Sequence, residues 1–228
     1  MTTPTKAVSL VFGYTDAEQA EHKEVTIGRR LTGGDLMRIG DLPESDNQTQ
    51  FGLLVLQSVI TRFGTLRMPV APTVLLSLNS VDRKDLNEAN NAFVRETGAG
   101  RKSEKLSASR VKLSFGLKVG ETVYDVVEFG KLLTGYDELA ADDFEGWRRA
   151  CFLLGKQIVK LEQSEGGATL DGQVDAEVFE TADASDIFLL QAFAEEWQDS
   201  FRHQRGQVQA DGGAGGGLSD APPAPAGS

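Results

Sequence analysis

The sequence contains few of the residues from which most metal and redox sites are built. Its 228 residues include one cysteine and two histidines. A single cysteine excludes a disulfide framework within one chain, as is typical of proteins in a reducing compartment. Cys151 lies in the apolar run 150–154, so we interpret it as a buried helical residue rather than a nucleophile. His22, on an expected exposed hairpin tip, and His203 have no cysteine or aspartate partner at ligand spacing, so we predict no metal site.

Long hydrophobic runs and an excess of positive charge are also missing. No run approaches the roughly 20 apolar residues of a membrane span, and residues 1–6 carry no apolar core of a signal peptide. We therefore expect a soluble, intracellular protein. With 23 Lys and Arg against 34 Asp and Glu, the net charge is −11. A phosphate backbone would on average be repelled by such a surface, so nucleic acid is not expected as the main partner.

A stretch near residue 30 occurs twice in the chain. Residues 28–39 read GRRLTGGDLMRI and residues 130–139 read GKLLTGYDEL, with matched positions 102 residues apart (130 − 28). In each stretch a threonine precedes an aspartate by three residues, which is the spacing of a capping box. Both stretches therefore predict a strand end followed by a helix that Thr32 or Thr134 caps. We interpret Arg29, Arg30 and Lys131 as solvated charges at the strand ends.

Two further blocks repeat in the same order. Residues 8–13 match residues 111–116 at an offset of 103 (111 − 8), with the alternating apolar residues of a half-buried strand. The aspartates at 82 and 85 match those at 183 and 186 at an offset of 101 (183 − 82), again at expected helix starts. We interpret them as helix caps and first-turn acids rather than as general acid–base pairs. Together the three blocks predict a tandem duplication of a unit of roughly 95 residues.

The predicted fold class is α+β, with two tandem copies of a small unit, each a β-hairpin followed by about three α-helices. The units span residues 7–96 and 110–204, and they are joined by a linker at 97–109. A Gly-, Ala- and Pro-rich tail at 205–228 is expected to be disordered. The strands are expected at 7–14, 24–30, 111–117 and 123–129, and the main helices after Thr32, at 47–63, from Asp82, after Thr134, at 144–161 and at 185–203.

No catalytic or cofactor-binding arrangement emerges from the sequence. The glycine run 212–217 follows no strand and opens no helix, so it is not a phosphate-binding loop. The Leu-Thr-Gly-Gly-Asp stretch lacks the lysine of a nucleotide-binding loop. A serine or cysteine nucleophile would need a positioned base, and neither histidine is a plausible one. We therefore expect no enzyme activity, no metal and no cofactor.

The last predicted helix has more apolar residues than one core stripe requires. The stripe is Ile187, Leu190, Ala194, Trp197 and Phe201. Four other apolar residues lie on the remaining faces of the helix: Phe188, Leu189, Ala192 and Phe193. Burial between the two units is the favoured explanation. The alternative is that these four residues form a docking face for a helix of another protein.

Several of these motifs occur together in a known family. The first unit has Arg-Leu-Thr-Gly-Gly-Asp-Leu at 30–36 after a hairpin, then a long helix, then Leu78, Asp82 and Leu86 leading to Phe93. This pattern resembles the small tail assembly chaperones of contractile-tailed bacteriophages. The second unit matches at Leu133, Thr134, Asp137, Asp183 and Ile187. The resemblance covers residues 8 to about 95 and, with fewer matches, the second unit.

The resemblance implies a non-enzymatic protein that acts in the host cytoplasm during tail assembly. Such chaperones bind the tape measure protein, a long apolar helical rod, and keep it soluble while tube subunits polymerise around it. Other tail proteins are further expected partners, and self-association stays open. The alternative is a structural component of the tail tube or baseplate, because duplication of a small unit is one way to build a hub.

Overall fold

The computed structural model describes the backbone of residues 4–211 and the side chains of residues 4–201. This part of the chain is a mixed α+β fold with seven α-helices and two antiparallel sheets. Residues 4–97, the first half, form β1 (Lys6–Thr15), β2 (Glu21–Ile27), α1 (Gly33–Gly40), α2 (Gln48–Val59), β3 (Ile60–Phe63), α3 (Pro72–Ser77) and α4 (Ser80–Thr97). Residues 98–211, the second half, form β4 (Glu104–Lys105), β5 (Arg110–Val119), β6 (Thr122–Phe129), α5 (Gly135–Ala141), α6 (Gly146–Gln157), β7 (Ile158–Glu162), β8 (Thr169–Asp171) and α7 (Ala184–Asp211).

Each predicted hairpin has a third strand at residues for which the sequence predicts the end of a helix. The predicted helix 47–63 ends at Val59, and β3 then pairs with β2. The predicted helix 144–161 likewise ends at Gln157, and β7 then pairs with β6. The two additional strands have the same physical cause. The apolar residues after each helix, including the β-branched Ile60 and Ile158, suit a strand that is buried at the edge of the hairpin.

The two sheets differ in size. The first has the order β1-β2-β3, and the second has the order β4-β5-β6-β7-β8. The outer strand β4 lies within the predicted linker 97–109, so part of that linker is ordered against β5. The glycine-rich loop after β7 contributes β8. Chain that looks like a connector by composition therefore adds two edge strands to the second sheet.

A buried aspartate fastens one helix of each half to a bulge in the first strand of its hairpin. The carboxylate of Asp82 on α4 accepts hydrogen bonds from the backbone N–H groups of Val11, Phe12 and Gly13, at 2.8–3.3 Å. Gly13 has a φ of 74°, which a glycine adopts without strain. The pairing of β1 with β2 is interrupted at this bulge, so its N–H groups do not bond to β2. The Asp82 carboxylate accepts their hydrogen bonds instead.

The same arrangement occurs in the second half with Asp186 as the acid. Its carboxylate accepts from the N–H groups of Ser114, Phe115 and Gly116, at 2.8–2.9 Å. The sequence predicts that Asp183 corresponds to Asp82, but the aspartate that makes the same contacts as Asp82 is Asp186, three residues later. Asp82 and Asp186 are 104 residues apart (186 − 82). Asp183 lies where α4 has its N-cap Asn79.

Two hydrophobic clusters form the core, and α1 connects them. The first cluster packs β2, β3, α2 and α4 around side chains such as Phe63 and Leu86. The second cluster is built from the second half but also includes Leu36 and Met37 of α1. Leu31 packs against both clusters. Helix α1 therefore belongs to the first half by sequence and to the second half by packing.

The last helix extends beyond its predicted end. The backbone of α7 is helical from Ala184 to Asp211, whereas the sequence predicted an end near residue 203. Of the predicted stripe, Ile187, Leu190, Ala194 and Trp197 are buried, whereas Phe201 is exposed. From residue 212 onward the tail predicted as disordered lies outside the described residues.

Candidate functional site

Both predicted capping boxes are present, and each is reinforced by a basic residue. The Thr32 side chain accepts from the Asp35 N–H, and Asp35 accepts from the Thr32 N–H at 3.0 Å. Arg29 adds two hydrogen bonds to the Asp35 carboxylate, at 2.6 and 2.8 Å. Burial alone would raise the pKa of Asp35, but these bonds lower it to about 2. At the second site, Lys131 reaches Asp137 at 2.9 Å in the same way.

The start of α1 interlocks with the chain segment that leads into α7. The Gly33 N–H donates to the Ala182 carbonyl at 2.9 Å, and the Ala184 N–H donates to the Leu31 carbonyl at 3.0 Å. Gly33 lies so close to this segment that a Cβ there would overlap the carbonyl oxygen of Phe179. We call this contact the interlock. It fixes the two halves relative to each other through backbone hydrogen bonds as well as side-chain packing.

Arg30 occupies the centre of the interlock. Its guanidinium pairs with the Asp183 carboxylate and lies 4.2 Å from the centroid of the Phe115 ring. It also donates to the Val94 carbonyl at 2.7 Å and to the Thr97 hydroxyl at 2.9 Å. The interpretation of Arg30 as a solvated strand-end charge was therefore wrong. A planar fork with five donors can satisfy several acceptors at a crowded junction, which sequence spacing cannot reveal.

In the second half, the helix that corresponds by position to α1 is α5, and its outer face is not covered by other described residues. Leu132, which matches Arg30, is 42% exposed, and Tyr136 and Leu139 on α5 are 86% and 67% exposed. A Cβ on Gly135, the match of Gly33, would meet nothing within 4 Å. Large apolar side chains on a short helix are thus presented to solvent at the position where α1 is covered.

The first half also has an open cleft between α2 and α4. These two helices correspond by position to α6 and α7, the helices on which α1 packs. This α2–α4 cleft has a volume of about 480 Å³, and its walls include Leu53, Leu56 and Arg83. The Nε of Arg83 is buried and has no hydrogen-bond partner among the described residues. Because the guanidinium of Arg83 places a positive charge at this wall, the wall favours a carboxylate ligand.

A second cleft lies where α1 approaches α6. It has a volume of about 470 Å³ and is lined in part by Leu42, Phe51 and Trp147. The ring of Phe188 on α7 packs edge-on against Trp147, with centroids 5.1 Å apart. Phe188 is 44% exposed, so an apolar edge continues from the cleft onto α7.

The four residues predicted as a docking face do not share one environment. Phe193 is buried, with its ring centroid 5.4 Å from that of Phe129, so it is a core residue and the prediction for it was wrong. Leu189 is half-buried against the second cluster, and Ala192 is exposed. Only Phe188 combines exposure with an aromatic neighbour at a cleft. The sequence could not separate these faces because the helix is apolar nearly all round.

The residues considered for chemistry occupy structural positions. Cys151 is buried as expected, and burial raises the pKa of its thiol to about 12. His22 is buried rather than on an exposed tip, and its Nε2 lies 3.0 Å from Asp16. Among residues with described side chains, no group of three His, Cys, Asp or Glu could hold a metal ion. His203 lies outside that part of the chain.

Comparison with known proteins gives no relatives. No protein-family model matches the chain, and neither a curated protein nor a solved structure is significantly similar to it. None of the helices in the described part of the chain is long and apolar enough to cross a membrane.

Proposed function

We propose that this protein is a non-enzymatic chaperone of phage tail assembly that binds the tape measure protein in the host cytoplasm. The observation that carries the proposal is the apolar edge formed by Phe188 and Trp147, beside a cleft whose lining includes Leu42 and Phe51 together with acidic residues such as Asp41. An exposed aromatic edge at an open cleft suits the apolar face of a partner helix. The acidic net charge of −11 favours solubility of such a complex.

We further propose that the two halves are tandem copies of one unit. Each half contains, in order, a hairpin, a capped short helix, a longer helix, a third strand and a final long helix. Each final helix carries an aspartate that holds three backbone N–H groups of the first strand, Asp82 in one half and Asp186 in the other. Agreement in a buried polar contact as well as in element order supports duplication over chance similarity.

Co-expression with the tape measure protein of the same genome tests the chaperone role. The wild-type chain is expected to co-purify with it and to keep it in the soluble fraction. Phe188→Glu places a charge on the apolar edge and should reduce co-purification at least about tenfold, because an unpaired charge at an apolar contact costs more than 1.4 kcal/mol. Leu106→Glu, at a similarly exposed site after β4, is the matched control and should co-purify normally.

Circular dichroism of both variants establishes that any loss reflects the surface rather than the fold. If Phe188→Glu and Leu106→Glu co-purify equally with the tape measure protein, the apolar edge is not its binding site. If the wild-type chain does not co-purify, the chaperone proposal itself is refuted.

The second candidate is a structural component of the tail tube or baseplate. It is favoured by the exposed face of α5, because a structural subunit needs surfaces that contact further copies. Mass spectrometry of purified particles distinguishes the two roles. A chaperone is expected to be absent from mature particles, whereas a structural subunit is expected to be present in multiple copies.

A further inference from the structure

We propose that two copies of this chain associate head to tail, with α5 of one copy docking in the α2–α4 cleft of the next and repeating the interlock between molecules. The proposal rests on the correspondence of positions in the two halves and does not depend on the chaperone role. Within one chain the interlock uses α1 of the first half and the α6–α7 surface of the second. It leaves unused the matching helix, α5, and the matching cleft.

The unused surfaces present the backbone groups that the interlock requires. By position, Gly135 matches Gly33. Leu78 matches Ala182, whose carbonyl accepts from the Gly33 N–H, at the offset of 104 that relates Asp82 to Asp186. The Gly135 N–H and the Leu78 carbonyl have no backbone partner among the described residues. The Ser80 N–H and the Leu133 carbonyl, which would form the reciprocal bond, are also without one. Docking α5 would therefore recreate both backbone bonds of the interlock.

At the centre of the interlock, a charged pair within the chain corresponds to two uncharged residues on the unused surfaces. Within the chain, Arg30 covers an aromatic ring and pairs with an aspartate. The residue in its position in the second half is Leu132, which is apolar. The ring it would cover is Phe12, 63% exposed, and the residue in place of the aspartate is the neutral Asn79. Both sides of the contact have lost their charge together, so no unpaired ion would be buried.

At the walls of the cleft the difference is the opposite one. Two apolar residues of the interlock correspond to two charged residues, one on α5 and one on α4. Leu36 of α1 belongs to the same buried cluster as Ile187 of α7. Their matches are Glu138 on α5 and Arg83 on α4, at offsets of 102 and 104. Glu138 is exposed and makes no side-chain hydrogen bond or ion pair among the described residues, while the Nε of Arg83 is buried without an acceptor. A Glu138 carboxylate from a second copy would pair with the guanidinium of Arg83, which lines the cleft.

Leu139 completes the contact. It matches Met37, whose side chain is buried in the second cluster. In the docked pair Leu139 would lie against the cleft wall that includes Leu53 and Leu56. Because the two surfaces are different and lie on different halves, the contact is heterologous. Repetition of it generates a ring or a helical filament rather than a twofold dimer.

Sedimentation velocity of the purified full-length chain over a range of concentrations tests the proposal. The wild-type chain is expected to form species whose mass increases in steps of 24.6 kDa. Arg83→Glu opposes Glu138 with a like charge, and Leu139→Asp places a charge against the apolar wall of the cleft. Each should weaken the apparent association at least about tenfold. Leu106→Asp, at an exposed residue that is neither in α5 nor in the lining of the α2–α4 cleft, should assemble like the wild type.

Two combinations make the test specific to a head-to-tail contact. The double variant Arg83→Glu with Glu138→Arg restores the ion pair in reverse and should recover association. Mixing the Arg83→Glu protein, whose α5 is intact, with the Leu139→Asp protein, whose cleft is intact, allows one junction only. The mixture should therefore form a species of two chains and none larger.

A wild-type chain that stays at 24.6 kDa at every concentration would overturn the proposal. So would equal assembly of Leu139→Asp and Leu106→Asp, or no recovery in the reversed ion pair. Circular dichroism of each variant separates loss of association from loss of fold, and an unfolded variant is replaced by Leu139→Ser or Arg83→Gln. Since only this chain is present, none of these results bears on the tape measure protein.

Discussion

Replacing Asp82 with alanine should destabilise the protein by about 3 kcal/mol. The Asp82 carboxylate is fully buried and accepts hydrogen bonds from three consecutive backbone N–H groups of β1. A hydrogen bond to a charged group contributes about 1.5–3 kcal/mol, but the three share one acceptor group and do not add. Val11 and Phe12 are exposed, so water replaces part of what is lost at their N–H groups. A loss of about 3 kcal/mol is a large fraction of the roughly 5–15 kcal/mol that is the unfolding free energy of a typical protein.

Urea denaturation followed by two probes measures this loss. Far-UV circular dichroism reports the whole chain, whereas tryptophan fluorescence reports the second half, because both tryptophans, Trp147 and Trp197, lie there. If the interlock couples the halves, Asp82→Ala in the first half shifts the fluorescence transition as well. Asp85→Ala is the matched control on α4, since Asp85 makes no side-chain hydrogen bond or ion pair among the described residues. It should change stability by less than about 0.5 kcal/mol.

A loss below about 0.5 kcal/mol for Asp82→Ala would refute the reasoning, because it would mean that the strand bulge does not depend on the acid. Asp82→Asn keeps the shape and one acceptor oxygen and should fall between alanine and the wild type.

Two further predictions concern the interlock and the first capping box. Gly33→Ala should destabilise the protein by more than about 2 kcal/mol, because a Cβ there overlaps the Phe179 carbonyl. Gly135→Ala, at a matched helix start with open space, should be neutral or slightly stabilising. Equal shifts of the melting temperature in the two variants would contradict the interlock. Asp35 has a folded pKa of about 2, below its value of about 4 in an unfolded chain, so it contributes stability above pH 4 that is lost as the pH falls toward 2. The difference in unfolding free energy between wild type and Asp35→Asn should be about 2 kcal/mol near pH 6 and should shrink toward zero near pH 2; a constant difference would argue against the ion pair.

Local sequence patterns were sufficient for the elements whose causes are local. The capping boxes at Thr32 and Thr134 depend on residues three positions apart, and both are present. The alternating apolar residues of 8–13 and 111–116 also lie in strands. The mixed α+β class followed from these elements.

Features that depend on distant contacts were not predictable from one sequence. The third strands begin where an apolar helix pattern continues, and only pairing with β2 or β6 shows that Ile60 and Ile158 have left the helix. The role of Arg30 depends on Asp183, which is 153 residues away. The shifted match of Asp82 arose because Asp183 and Asp186 have the same spacing as Asp82 and Asp85, so a pattern of acids alone could not fix the register.

The candidate site was predicted only in part. Exposed apolar residues on the last helix were expected, but the helix is apolar on too many faces for its buried side to be assigned without packing. The open surfaces on α5 and at the α2–α4 cleft could not be inferred, since exposure is a property of what the rest of the chain leaves uncovered.

The packing of α1 also sets an order of events during synthesis. Leu36 and Met37 leave the ribosome about 150 residues before Ile187 and Leu190, against which α1 is buried. At typical elongation rates this interval lasts roughly 10–30 s, during which the newly made amino-terminal part has an uncovered apolar helix. Folding of that part cannot be completed until translation reaches α7, so the nascent chain carries a vacant helix surface for most of its time on the ribosome.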